Sequence, residues 1–288
     1  MMRSVSSSGN RPGPSSSLSR RSLLALAAVS AASTLEGCNR VSARGPRDRA
    51  SRPPQSLIFP KRIRAVAFDA LAVFDTGSVV ARCERAFPGR GEQLAAGWRT
   101  RQFDYTWIRA VARQPYIDFW HITEDALVYA AKALSLDLSP SIRDDLMSTW
   151  LSLKPWPDSA KALQSMKSAG LRLAILSNFT PGMQRECVHR SGLDGVFDHH
   201  LSTDAARAYK PDPRAYQLAV SAMGLAREEV AFAAFGGWDA AGSKYFGFMT
   251  VWINRQALPV EELGVEPDAI VSTLAQMATS LRPGTPPA

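Results

Sequence analysis

Cysteine and histidine are scarce, three and four of them in 288 residues. Cys38, Cys83 and Cys187 stand alone, and His121, His189, His199 and His200 show no ligand spacing. No zinc or other transition-metal site is therefore written in the chain. Cys83 and Cys187 read as small apolar packing residues; export would permit a disulfide, but nothing in the sequence pairs them. Lysine is missing from the first 60 residues, which carry nine arginines and two acids, Glu36 and Asp48. The remainder holds 25 basic and 24 acidic side chains, so +7 of the formal charge of +8 belongs to the tail. A nucleic-acid binder needs a basic stripe interleaved with aromatics on a folded face. None is present, and that class is set aside. The body also lacks internal repeats and any apolar run long enough to cross a bilayer.

What the tail does contain reads as a targeting signal. In "SRRSLLALAAVSAASTLEGC" the pair Arg20-Arg21 precedes Leu23-Leu24 and an apolar stretch too short to span a membrane comfortably. This resembles a twin-arginine leader, which implies export to the periplasm in the folded state. Leu35-Glu36-Gly37-Cys38 resembles a lipoprotein cleavage box, with Cys38 lipidated and anchoring the chain to the membrane; Glu36 is atypical for it. A leader that does not function would leave the chain cytoplasmic. Residues 39–60 and 282–288 have the composition of a disordered linker and tail.

Beyond the tail, short apolar runs alternate with helix-length segments. Ile63–Asp69, Leu171–Asn178, Val230–Phe235 and Met249–Asn254 read as buried strands, with Phe197–Ser202 a weaker fifth. Ser159–Ala169, Gly182–Ser191, Arg214–Met223 and Ala240–Phe246 carry helical spacing. This alternation predicts an α/β fold, a Rossmann-like parallel sheet with helices on both faces. From about Gly77 to Lys154 the pattern is helical instead: Gly91–Val111, Thr123–Leu134 (Thr123 as cap, Glu124 in the first turn) and Pro140–Leu151. Residues 77–154 thus form a helical cap inserted into a core of residues 61–76 and 155–281, with the proline-rich "LKPWPD" as the return hinge.

Ligands bind such sheets beyond the carboxyl ends of the strands. Asp69 in "VAFDALAVFD", Ser177-Asn178 in "LAILSNFTP", Lys210 in "AYKPDPRAY" and Asp239 in "FGGWDAAG" all fall at or just past such ends. An acid, a hydroxyl with an amide, a lysine and a second acid in this order resemble the haloacid dehalogenase superfamily. "ERAFPGRG", "WRTRQFDYTW", "TEDAL" and "YFGFMTVWINR" are similar to its type II, L-2-haloacid branch, over about residues 61–280. The resemblance implies a carboxylate nucleophile, Asp69, that displaces halide from C2 of a short 2-haloacid and forms an ester, which water then cleaves. Hydration makes a carboxylate a poor nucleophile; a dry strand end beside a cation removes that protection. By the same resemblance Lys210 keeps Asp69 ionised, Asp239 orients the lysine and the water, and Arg99 helps remove halide. Ser177, Asn178, Tyr216 and Trp238 are the substrate-binding candidates. No metal or other cofactor is called for, and a dimer through the cap is implied.

Two departures stand out. The family motif Phe-Asp-x-Tyr-Gly-Thr-Leu-Phe-Asp is "FDALAVFD" here, one residue shorter, and the nearest equivalent of the threonine is Val73. Ser-Ser-Asn-x-x-Asp is replaced by Ala234-Phe235-Gly236-Gly237-Trp238-Asp239. Lost donors of this kind each remove about 1–3 kcal/mol of stabilisation. Two other readings stay open on these grounds: a phosphatase of the same superfamily, and a catalytically weak or non-catalytic binder of small acids. Against the first, position 71 is leucine, where the phosphatases place an acid to protonate the leaving alkoxide.

Overall fold

The computed structural model describes residues 62–280. The twin-arginine segment, Cys38, the linker and the C-terminal tail lie outside them.

The sheet begins with β1 (Ala65–Phe68), the first of the predicted strands. A single helical turn, α1 (Ala70–Val73), and a two-residue strand, β2 (Phe74–Asp75), lead out of the sheet. Four helices follow: α2 (Gly77–Ala86), α3 (Gly91–Val111), α4 (Phe119–Ala133) and α5 (Pro140–Ser148). The chain returns through β3 (Lys154–Pro155), then alternates: α6 (Ser159–Ser168), β4 (Arg172–Ser177), α7 (Pro181–Arg190), β5 (His199–Ser202), α8 (Pro213–Met223), β6 (Val230–Ala234), α9 (Gly237–Phe246), β7 (Met249–Ile253), β8 (Ala269–Val271) and α10 (Leu274–Ser280). The six strands of the main sheet run parallel in the order β5-β4-β1-β6-β7-β8.

Period-two alternation divides the core. Val66 and Phe68, Leu173 and Ile175, and Ala231 and Ala233 face one apolar cluster, while Ala65 and Ala67, Ala174 and Leu176, and Val230, Phe232 and Ala234 face the other. A strand apolar at every position is what burial on both faces requires. Helix termini follow local chemistry as well: Thr180 caps α7 by accepting from Met183 N, with Pro181 in the first turn.

Three expectations are corrected. Helix α4 begins four residues before Thr123, because Asp118 is the cap, accepting from the backbone N–H of His121 at 2.9 Å. Thr123 is instead buried inside that helix, its hydroxyl donating to Phe119 O at 2.6 Å and accepting from Gln102 at 2.8 Å. The segment expected to lack any strand ends at Lys154 in the ribbon β2–β3, which pairs Phe74 with Pro155 and Asp75 with Lys154. Strand β8 and helix α10, three and seven residues long, are too short to show a period; helix α2 was also missed, and in it only Val79 and Cys83 are buried. Cys83 and Cys187 are buried free thiols, and burial pushes their pKa values up to about 12 and about 11.

Candidate active site

The carboxyl ends of β1, β4 and β6 meet under the helices α3 and α4. Asp69 follows β1 directly, and its backbone N–H donates to Ala233 O of β6 at 3.0 Å, which fixes the nucleophile candidate to the sheet. Ser177 ends β4 and Asn178 follows it. Lys210 comes from the loop between β5 and α8, and Asp239 from the first turn of α9. The loop is held by Asn178, whose Oδ1 accepts from Lys210 N at 2.9 Å and from Thr203 Oγ1 at 3.3 Å. Gly242 lets α9 approach it; a Cβ there would lie 2.5 Å from Pro211 Cβ and 2.7 Å from the Tyr216 hydroxyl.

Lys210 Nζ bridges the two acids. It donates to Asp69 Oδ1 at 3.1 Å and to Asp239 Oδ2 at 2.6 Å. The lysine is 2 % exposed and Asp239 is fully buried, whereas Asp69 keeps 8 % exposure. Among the described residues Asp69 Oδ2 makes no hydrogen bond, so one oxygen is anchored and the other is free. Burial works against the Lys210 ammonium, but Asp239 and Asp69 outweigh it and its pKa lies above the ordinary lysine value. Burial pushes Asp239 up to about 6, with Lys210 pulling it down and Asp69 adding to the rise.

A cavity of about 20 Å³ lies before Asp69, lined by Leu71, Arg99, Phe103, Phe119, Ser177, Asn178, Phe179, Lys210 and Trp238. Arg99 enters from α3, its guanidinium 4.1 Å from the Phe103 ring centroid and donating to Gln102 at 3.0 Å. Burial lowers its pKa to about 10 and the Asp69 charge holds it up, so it stays cationic at neutral pH. Trp238 packs edge-on against Phe103 at 5.0 Å and Trp107 at 5.4 Å. Gly236 makes room for it: a Cβ there would lie 2.8 Å from the indole nitrogen. The indole thus sits where the asparagine of the family motif would begin. Val73 is buried in the core, and among the described residues no hydroxyl donates to Asp69.

Seven of the eight expected site residues come together here. Asp69, Arg99, Ser177, Asn178, Lys210 and Trp238 line the cavity, and Asp239 stands behind Lys210. Tyr216 does not line it, which corrects its place as a substrate-binding candidate. It is fully buried on the opposite core cluster, and its hydroxyl donates to Asp239 Oδ1 at 2.6 Å. Phe103 and Phe119, on α3 and α4, also line the cavity; aromatics on such helices ordinarily serve packing, and the sequence assigns neither a site role. Phe179 was missed, although it directly follows the Ser177-Asn178 pair.

The family model of haloacid dehalogenase-like hydrolases matches residues 63–247, the sheet from β1 through α9 with its inserted helices. The chain belongs to the haloacid dehalogenase-like hydrolases. It is 44 % identical over 213 residues to an (S)-2-haloacid dehalogenase from Pseudomonas sp. (strain YL), covering 74 % of this chain and 91 % of that one. A haloacetate dehalogenase from Moraxella sp. (strain B) is 40 % identical over 215 residues, covering 74 % and 96 %. The L-2-haloacid dehalogenase from Xanthobacter autotrophicus, solved with chloropropionic acid covalently bound, aligns with a TM-score of 0.70 at 34 % identity, covering 75 % and 97 %.

In this hydrolase Tyr216 favours the ionised form of Asp239 by donating to it. Tyr216→Phe removes that donor and is expected to move the acid limb of the pH–rate profile to higher pH by about one unit. Activity would then fall more at pH 5 than at pH 8. An unmoved acid limb would disconnect Tyr216, or Asp239, from the reaction.

Proposed function

We propose that the chain hydrolyses the carbon–halogen bond of short 2-haloacids through an ester on Asp69. One observation carries this reading: a buried ammonium holds Asp69 by Oδ1 and leaves Oδ2 without a hydrogen bond at the wall of a small aromatic-lined cavity. Oδ2 attacks C2, the carbon–halogen electron pair leaves with the halide, and Arg99 and the ring edges receive it. Ser177 Oγ, which accepts from Phe179 N at 3.2 Å, still has its own proton to give to the substrate carboxylate. Water then adds to the Asp69 carboxyl carbon. The 2-hydroxyacid departs with the original Asp69 oxygen, and a proton is released. Asp239, ionised above about pH 6, aligns Lys210 and favours the water's deprotonation.

The names of the relatives support this chemistry, and the covalent adduct in the Xanthobacter autotrophicus structure supports the ester. Phosphate-ester hydrolysis is disfavoured because Leu71, a wall of the cavity, has no proton for a leaving alkoxide. Incubation with chloroacetate and 2-chloropropionate should release free halide. Folded protein that releases none from either would reject the substrate class. Export is part of the same reading, resting on residues 20–38 alone. Arg20→Lys with Arg21→Lys should retain the chain in the cytoplasm, and an unchanged cell fraction would remove that element.

A further inference from the structure

The nucleophile and the hinge of the helical insertion are separated by one turn of helix. Asp69 is the cap of α1, Val73 is its last residue, and the ribbon β2–β3 starts at Phe74. A helix of one turn cannot satisfy its own final carbonyls. Residues 71–73 turn theirs to donors from beyond the insertion. Trp156 Nε1 donates to Leu71 O at 3.0 Å and Arg255 Nη2 to Ala72 O at 3.3 Å. Val73 O accepts from Ser159 Oγ at 2.8 Å and from Trp156 N at 3.0 Å, the latter continuing the ribbon ladder.

These donors form one unit. The Arg255 guanidinium lies 4.6 Å from the Trp156 ring centroid and pairs with Asp158 at 2.9 Å, its side chain only 8 % exposed. Trp156 also stacks on Phe235, 6.5 Å between centroids, just beyond β6. Trp156 directly follows the ribbon, so a rotation of the helical insertion about it reaches Leu71 and Val73 through Trp156, while Arg255 and Ser159 hold Ala72 and Val73 from the core. The cavity before Asp69 is small, about 20 Å³, so seating a haloacid there calls for some movement of its walls, which include residues of α3 and α4.

We propose that Trp156 and Arg255 are positioning residues that couple closure of the helical insertion to alignment of Asp69. With the insertion closed, the indole N–H and the guanidinium lock the 71–73 carbonyls, and through one rigid turn they aim Oδ2 at the cavity. Opening the ribbon withdraws the indole and frees Leu71 from the cavity wall. This coupling rests on the hydrolytic reading of the site, and it assigns the hinge a part in the chemical step.

Trp156→Phe tests it, because the ring keeps its place over Arg255 and beside Phe235 while the donor to Leu71 O is lost. Halide release would be followed in a single turnover and at steady state with chloroacetate, and thermal unfolding by circular dichroism. The single-turnover rate and kcat should fall by about tenfold or more, with KM within about twofold, since displacement of a reacting atom penalises the chemical step. Arg255→Lys keeps a cation for Asp158 but loses the fork that reaches Ala72 O, and should act in the same direction; it also serves if Trp156→Phe does not fold. A lower unfolding temperature with unchanged kcat would make the contacts purely structural and overturn the proposal. So would a rise in KM alone, which would place the hinge in binding. An inactive wild-type protein would instead refute the hydrolytic reading itself.

Discussion

Asp69→Asn should lower halide release by at least about 10⁴-fold while leaving the fold intact. The amide has the shape of the acid but lacks the anionic electron pair that displaces halide. Structure should survive because Asp239 keeps its 2.6 Å contact to Lys210, so no buried charge is left alone. The variant would turn the site from two acids and one base into a neutral pair. Halide assays beside circular dichroism check both halves. A folded variant retaining more than about a hundredth of the activity would remove Asp69 from the covalent step.

The second large effect is on stability. Lys210→Met removes the one cation between two carboxylates, one of them fully buried. Breaking a buried pair from one side typically destabilises by about 3–5 kcal/mol, and activity should vanish with it. The sign of the pH dependence follows. Asp239 already has a raised pKa, and losing Lys210 removes the interaction that pulls it down. A folded-state acid with a raised pKa binds more protons than the unfolded chain, so stability falls as pH rises through that range. Lys210→Met should therefore lie closer to the wild type at pH 5 than at pH 7.5 in urea unfolding. A deficit independent of pH would mean that the lysine acts by packing alone.

Much of this arrangement is legible in the sequence. Strand ends were readable because full burial on both faces makes β1, β4 and β6 continuous apolar runs, and chemistry in such sheets gathers at their carboxyl ends. Asp69, Lys210 and Asp239 could be placed together for that reason, although about 170 residues separate the first from the last. What was hidden depends on side-chain direction. Tyr216 lies on a helix that touches the site only from beneath, and no periodicity distinguishes a tyrosine facing the cavity from one supporting it. Phe179 had only its place after the Ser177-Asn178 pair to mark it, since a phenylalanine after a strand reads as core. The hinge contacts were hidden too. Arg255 lies in a motif that resembles the family, yet its partners, Ala72 and Asp158, are close only in space.

The loss of the threonine and asparagine donors is clear from sequence, but its consequence is not. In the shortened loop residues 70–73 form a helical turn whose carbonyls accept from outside donors. Replacing the asparagine by Gly236 opens the space that the Trp238 indole takes.

The most direct measurement is a single turnover in heavy-oxygen water with enzyme in excess over chloroacetate, followed by mass analysis of the peptide containing Asp69. Attack by Asp69 predicts one heavy oxygen in that carboxylate and none in the glycolate formed. Free halide accompanied by heavy oxygen in glycolate, with Asp69 unlabelled, would show that water attacks the substrate directly and would contradict the ester.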